Sequence, residues 1–407
     1  LTKKNAYQAM ITMHSWMFLS AFETLRENII QNITLLFHTH FGIKAFEEIG
    51  NDIVQTCSFI FLNSKVDEFS TMFIRLVSYK ESSFQKESEF FNKLNYYFNN
   101  TKQFLKIPNK SFAYWVPESF FENFSKGKNI EKYADFTGSQ NITGDNNSYL
   151  RCFWEINQYD ISKKWFFYAK GGDYRKYYGN LTYVINWTEE ARKFYKTNKT
   201  SNLLNENFWF REGITYSAVT SRGTGFRYLP RNCIFDKGGP SIAVNEHLYY
   251  LLAILNSKVA ELYFQVFNPS INLQVKDVKA MPIIIDNYDV ISHISEQNTQ
   301  IAKEDWESNE CSFGYKGFLL NHKKIKDNID YIISKNETNF FLAYENEKKL
   351  NELISDIYGM KNYLQNDVEE REIPVAKHSV QELVKSFISY AVGCMFGRYS
   401  LDSEGLT

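Results

Sequence analysis

The chain has 407 residues, with 46 Lys and Arg against 47 Asp and Glu and a net charge of -1. A balance this close to zero excludes a protein that coats nucleic acid through bulk positive charge, although it leaves room for a local basic cleft. The length suits two or three domains, and 44% hydrophobic residues with 23% charged ones are ordinary for a globular chain, whereas 35 Phe and 27 Tyr make the aromatic share high. Cys57, Cys152, Cys233, Cys311 and Cys394 lie far apart without a CxxC or CxxH pair, which argues against structural zinc and for free, mostly buried thiols in a reducing compartment. No apolar run approaches the roughly 18 residues of a membrane span and no signal peptide is visible, so a cytoplasmic location is expected. The first residue is Leu and the last stretch, RYSLDSEGLT, follows an apolar run directly, so both ends are expected to be cuts from a longer protein.

In chain order, YQAMITM reads as an inner strand. Ser15 reads as a helix cap, followed by Trp16, Leu19, Phe22, Arg26 and Ile29 on one face of a helix. ITLLFHTHF and IVQTCSFIFLN are apolar almost throughout, and strands of that kind separated by a helix predict part of a parallel or mixed α/β sheet. RLVSYKES is a further candidate strand. SFQKESEFFNKLNYYFNN reads as a helix with Phe84, Phe90, Phe91, Leu94 and Phe98 as its apolar face. Pro108 and Pro117 frame the next stretch, and a boundary is placed after residue 105.

Residues 106–287 alternate short strand-like pieces (LTYVINW, ITYSAV, NCIFDK) with Gly, Asn and Pro turns, the texture of a β-rich domain whose long loops suit recognition. Within it HLYYLLAILNSKVAELYFQVF predicts a helix and LQVKDVKAMPIII a return to strand. Residues 288–407 read as mainly helical.

KWFFYAKGGDYRKYYGN, residues 164–180, crowds cations and aromatic rings around a glycine pair that can adopt positive φ. Phosphates want cationic donors and free N–H groups, and bases want flat rings or Arg and Asn at their edges, so such a loop suits nucleic acid. A tight hairpin with a solvated cationic face, or sugar binding by the rings, fits the same composition. SRGTGFRYLPRN and FDKGGPS add Arg222, Arg227, Arg231 and Lys237, and convergence of all three stretches on one cleft is expected. The GTG lacks the remainder of a nucleotide-binding fingerprint. His14, His38 and His40 are read as hydrogen-bonded strand-end residues in preference to metal ligands, and Asp236 with Glu246 is a weak candidate for a carboxylate pair.

Together ITMHSWMFLSAFETLREN, FGIKAFEEIGNDIVQTCSFIFLN, KWFFYAKGGDYRKYYGNLTYVINW, FREGITYSAVTSRGTGFRYLPRNCIFDKGGPS and LLAILNSKVAELYFQVFNPSINLQVKDVKAMPI, with ELISDIYGM and SYAVGCMFGRYSLDSEGL, span nearly the whole chain. In combination they resemble the large adenine-specific DNA methyltransferases of bacterial phage-exclusion systems, the BREX type, also called PglX. The resemblance implies an α/β architecture: a partial Rossmann-like methyltransferase sheet in residues 1–105, a mixed α/β target-recognition domain in 106–287, and a helical C-terminal region in 288–407. For a whole family member it implies S-adenosyl-L-methionine as cofactor and methyl transfer to N6 of a flipped adenine held by an Asn-Pro-Pro-Tyr motif. Neither that motif nor an F-x-G-x-G loop occurs here, so no catalytic residue, no metal and no cofactor are expected for this stretch, nor methyl transfer by it alone.

The implied partners are double-stranded DNA and other phage-defence proteins, with no membrane. On this reading Lys170, Arg175 and Lys176 anchor phosphates and Arg222 and Arg227 meet base edges or phosphates, while Tyr178, Asn180, Arg231, Asn232 and Lys237 complete the DNA-facing set. Two other functions stay open: a stand-alone DNA specificity or interaction subunit without catalysis, and a carbohydrate-binding protein built on the aromatics.

Overall fold

The computed structural model describes residues 2–46, 54–137, 140–219, 223, 225–268 and 272–406. The chain divides into two compact units: Leu1–Lys128 with Leu262–Ser270 and Tyr358–Tyr363, and Asn129–Glu261 with Ile271–Ile357 and Leu364–Thr407. The sequence boundaries at 105 and 287 do not coincide with these limits. Residues 106–128 stay with the first unit because their aromatics pack into it: Phe112 and Phe121 lie 5.0 and 6.0 Å from Phe104.

The first unit runs β1 (Tyr7–Met13), α1 (Glu23–Asn32), β2 (Thr34–Gly42), β3 (Thr56–Leu62), β4 (Ser70–Arg75), α2 (Ser83–Phe90), β5 (Tyr96–Asn100) and α3 (Glu118–Lys126). Its five strands form one mixed sheet of order β1-β3-β2-β4-β5, in which β2 and β4 are parallel and the other neighbours antiparallel. The mixed α/β sheet expected from the sequence is present. β1, however, is an edge strand and not an inner one: Tyr7, Met10, Ile11 and Met13 are exposed.

Ser15 does not open a long helix. Residues 14–22 form two 3-10 turns, and the fully buried Arg26 fills their open carbonyls, donating to the oxygens of Trp16 (2.8 Å) and Leu19 (2.7 Å). Arg26 is therefore a polar clamp and not part of an apolar stripe. The strand expected at RLVSYKES lies earlier, and only Arg75 of that stretch belongs to β4. The helix expected over residues 83–100 stops at Phe90, after which the chain pairs with β4 as β5. The buried side of α2 belongs to Lys86, whose ammonium donates to the carbonyls of Phe41 (2.8 Å), Leu76 (2.9 Å) and Tyr79; Phe84, Phe91, Leu94 and Phe98 are exposed. Hydrophobic spacing selected the wrong face because one ammonium can satisfy three loop carbonyls that a phenyl ring would leave bare.

The second unit and the segment leading into it run β6 (Lys128–Asn129), β7 (Ala134–Phe136), α4 (Asn146–Tyr149), β8 (Leu150–Cys152), β9 (Trp165–Ala169), β10 (Tyr183–Asn186), α5 (Glu189–Thr197), β11 (Gly213–Tyr216), β12 (Phe226–Leu229), β13 (Cys233–Phe235) and β14 (Ser241–Val244). Then follow α6 (Leu248–Asn256), α7 (Lys258–Phe267), whose residues from Leu262 on belong to the first unit, α8 (Val275–Lys279), β15 (Pro282–Ile283), α9 (Tyr288–Glu307), α10 (Ile325–Ile357) and α11 (Val380–Met395). Two four-stranded sheets result, of order β13-β9-β10-β8 and β12-β11-β14-β7. Leu150, Tyr168, Ile185, Trp187, Tyr195 and Ile234 make the core under the first of these sheets.

The single helix expected at 247–267 is broken at Ser257, whose Oγ accepts the Ala260 N–H (3.2 Å) and starts α7, while the Asn256 side chain exchanges two 2.9 Å bonds with the Phe226 backbone. LQVKDVKAMPIII holds the short helix α8 before two strand residues. α11 opens on a reciprocal Ser379–Glu382 cap. The cysteines are free; Cys57 and Cys233 are buried and Cys311 is exposed. Among the described residues no helix is long and apolar enough to cross a membrane.

Candidate nucleic-acid interface

The three glycine-bearing stretches of the second unit meet. Gly171 and Gly172 take φ of +84° and +123°, as the sequence requires of them. A Cβ on Gly171 would stand 2.6 Å from the Gly238 carbonyl oxygen, and one on Gly239 2.6 Å from the Ala169 oxygen and 2.7 Å from Gly171 N. Asp236 Oδ1 closes that turn by accepting from Gly238 N (2.6 Å) and Gly239 N (3.0 Å); burial raises its carboxyl above the usual range, against the pull of these bonds and of Lys170. On the other side Tyr177 N donates to Phe226 O and Tyr228 N to Tyr177 O, both at 2.8 Å, and Gly225 lies against the Arg175 carbonyl. Ser217 Oγ ties the centre, donating to Gly172 O (2.9 Å) and accepting from Arg227 Nη2 (3.3 Å).

Convergence of backbone does not bring all the cations to one surface. Lys176 points inward, its Nζ 2.6 Å from Glu347 Oε2, and Tyr177 donates to Glu347 Oε1 at 2.5 Å, an oxygen that also accepts Asn298 Nδ2 at 3.1 Å. Burial works against the Lys176 charge, yet the Glu347 carboxylate, together with Tyr174 and Glu372, outweighs it and holds the ammonium above its ordinary value. Arg227 is 1% exposed, and burial, with Arg175 second, lowers it to about 10. Arg175 is half-buried, paired with Asp305 at 3.0 Å and lying 5.0 Å over the Trp306 ring. Lys176 and Arg227 are therefore not solvent-facing contacts in this chain, because their heads are enclosed by the unit's own groups.

Tyr178 is buried against Tyr228, and Asn180 uses its amide on the Asp173 carbonyl (2.8 Å). Lys170 is half-open, 5.6 Å over the Tyr183 ring. Arg231, Asn232 and Lys237 are exposed, Arg231 reaching Glu212 at 3.5 Å. Arg222 lies outside the described residues. The partners that sequence reasoning missed are Glu347 and Asp305, helix residues 171 and 130 positions from their cations. No local pattern could mark them among the many acids of the helical region.

The weaker candidates settle differently. Asp236 is engaged by the turn and Glu246 is exposed, so they do not form a carboxylate pair. In the first unit His14 Nδ1 and His40 Nε2 are 2.8 Å apart and His40 Nδ1 is 3.0 Å from the Tyr114 hydroxyl, whereas His38 is fully buried with both ring nitrogens unpartnered. Among the described residues no group of three or more His, Cys, Asp or Glu side chains is arranged to hold a metal. Gly42, at the end of β2, is packed against Val77, an arrangement that does not fit a cofactor-cradling glycine loop.

In sequence, the chain is similar from end to end to part of two curated adenine-specific methyltransferases. They are PglX of Lacticaseibacillus casei (strain Zhang), 33% identical over 448 aligned positions covering 100% of this chain and 36% of that protein, and BrxX of Escherichia coli O9:H4 (strain HS), 32% identical over 443 positions covering 100% and 35%. The resemblance to BREX-type methyltransferases read from the motifs thus holds over the whole chain, which spans about a third of the length of these relatives. No protein-family model matches. Likenesses to solved structures are weaker: the Type IIL restriction-modification enzyme MmeI in complex with DNA gives a TM-score of 0.49 at 12% identity, covering 95% of this chain and 50% of that one. The Type ISP restriction-modification enzyme LlaGI with a DNA substrate mimic gives 0.37 at 11%, covering 74% and 35%.

Proposed function

We propose that this chain is the DNA-recognition portion of a site-specific, S-adenosylmethionine-dependent DNA adenine-N6 methyltransferase of a phage-defence system. The observation that carries this reading is the end-to-end similarity to two proteins named as adenine-specific methyltransferases. On this reading the methyl donor and the groups that grip the flipped adenine belong to parts of the protein outside this chain, which works in the cytoplasm on double-stranded DNA, alongside other defence proteins. The chain's own task is to hold and read the duplex while one nucleotide leaves the stack. The exposed Arg231 and Lys237 with the half-open Lys170 are the phosphate contacts, and Arg222 with Asn232 are the groups for base edges. Lys176, Tyr178, Arg227 and the Arg175–Asp305 pair act beneath them, fixing the loops that carry the exposed groups.

The test uses the full-length protein. Methylome sequencing of cells carrying it should show N6-methyladenine at one short motif, and Lys170→Ala, Arg231→Ala and Lys237→Ala combined should weaken binding to motif-bearing and random duplexes alike. Full methylation by the triple variant at unchanged DNA affinity would remove these loops from the interface.

A further inference from the structure

Away from these loops, the last helix of the second unit carries more apolar surface than that unit covers. At about 100° per residue, Leu383, Phe387, Tyr390 and Cys394 share one side of α11. That side is spent inside: Leu383 and Tyr390 are buried with Tyr315, Phe318, Ile329 and Tyr399, and the Phe387 ring lies 5.3 Å from that of Phe318. Beside it, over a further arc of about 120°, come Val380, Ala391, Val384, Met395, Ile388 and Val392, with Gln381 the one polar member. This second arc is open. Its three valines are exposed, Ile388 is 55% and Met395 83% exposed, and Phe396 at the helix C-cap is 86% exposed.

A helix at a surface needs one apolar stripe, whereas α11 is apolar over more than half its circumference and buries only part of it. The open side chains amount to an apolar area on the order of 500 Å², at the upper end of what one patch of an ordinary monomer shows. Spacing sets the shape of what fits. Gln381, Val384, Ile388, Ala391 and Met395 follow one another at three, four, three and four residues, the seam along which one helix receives the side chains of another. The charged side chain at the edge of this seam is the exposed Lys385, with Glu382 further round the helix. A second copy laid on the seam about a two-fold axis at Ile388 would bring two Lys385 ammoniums together with no acid beside them, which disfavours self-pairing. The relatives matched from end to end are nearly three times as long as this chain, which covers 36% and 35% of them, so a protein of that length has ample further chain to supply a helix with an acidic flank.

We propose that the open arc of α11 is the docking site for an amphipathic helix of the same full-length protein, from a part outside these 407 residues. Its apolar side chains interleave with Val384, Ile388, Ala391 and Met395, and its flank sets a carboxylate against Lys385. The inference stands apart from the DNA-recognition reading and does not need it.

The test uses the purified full-length protein. Ile388→Cys should react with a maleimide about tenfold or more slowly than Ser386→Cys, an exposed position on the polar side of the same helix, because reaction at 388 then waits for the docked helix to open. Peptide mass spectrometry reads each site separately from the native cysteines. The photo-crosslinking residue p-benzoylphenylalanine in place of Met395 identifies the occupant. Irradiation of an equal mixture of isotope-light and isotope-heavy protein should join position 395 to one segment outside residues 1–407, in pairs of a single isotope. Equal maleimide rates at 388 and 386 would show the face open. Mixed-isotope pairs would seat a second copy on it, and photoproducts absent or confined to residues 1–407 would leave it without the helix. Any one of these results overturns the proposal.

Discussion

Lys176 and Glu347 form a buried ion pair, ammonium to carboxylate 2.6 Å, across 171 positions of sequence, with Tyr177 and Asn298 closing the carboxylate's other oxygen. The loop that reads from sequence as a DNA anchor is itself anchored, from a helix more than a hundred residues away. Removing one partner of such a pair leaves the other charge buried and costs about 3–5 kcal/mol, whereas replacing both with apolar groups is far milder. Lys176→Met and Glu347→Leu should each lower the urea midpoint strongly, and the double variant should recover much of the loss. Single and double variants of equal stability to the parent, with DNA affinity alone reduced, would instead return Lys176 to the DNA surface.

The exposed cations should behave differently. Each phosphate neutralised contributes about 0.9 to the slope of log affinity against log salt. Lys237→Ala and Arg231→Ala should each flatten that slope by roughly one ion while shifting stability by no more than about 0.5 kcal/mol. Arg231 should show the smaller change of the two, because Glu212 already holds it at 3.5 Å. Slopes unaltered by both substitutions would mean that these side chains face away from DNA.

What the sequence disclosed and what it hid follow from the range of the forces involved. β2 and β3 were legible because their sequences are apolar almost throughout. The convergence of the glycine stretches was legible because close backbone approach demands that residue type, as at Gly171 and Gly239. The buried face of α2 was not, and neither was the role of Arg26 on α1: Arg26 and Lys86 point inward to satisfy carbonyls whose positions only the folded loops define. For the same reason composition could collect the cations of residues 170–176 but could not tell the half-open Lys170 from the enclosed Lys176, a difference set by Glu347 on α10.

Two glycines of the candidate interface separate steric need from conformational need. Gly239 has backbone atoms 2.6 and 2.7 Å from where a Cβ would stand, and those atoms belong to the neighbouring loop. Gly239→Ala should therefore force the loops apart, cost about 1–3 kcal/mol and weaken DNA binding with it. Gly223 has nothing within 4 Å among the described residues but a φ of +94°, so Gly223→Ala should cost only about 1–2 kcal/mol of backbone strain and leave the convergence intact. Thermal unfolding together with DNA titration of both variants checks the pair; equal loss of affinity in the two would assign the effect to strain alone.

The histidines of the first unit predict a pH response. His38 is fully buried with neither ring nitrogen bonded, and burial, reinforced by His14, pushes it down to about 3; burial lowers His40 and His14 as well, His40 with further repulsion from His38, His14, Arg75 and Lys86. A base whose folded pKa is depressed takes up its proton more readily when unfolded. The unfolded chain therefore binds more protons below the ordinary histidine value near 6.5, and stability is complete above it and falls as pH drops toward 3. His38 alone should contribute a loss of roughly 3 kcal/mol between pH 6.5 and 4. Carboxylates held low by salt bridges lose their share only below about pH 4.5, and Asp236 and Glu307, whose carboxyls burial raises, add stability as pH falls, so a loss between 6.5 and 4.5 belongs to the histidines. The protection factors of β2 amides, that is exchange rates divided by their intrinsic rates at each pH, should fall across that interval in the parent and much less in His38→Leu, which keeps the volume and removes the titrating ring. Protection factors in β2 that stay flat over that interval in the parent would show that His38 reaches solvent or a partner on protonation.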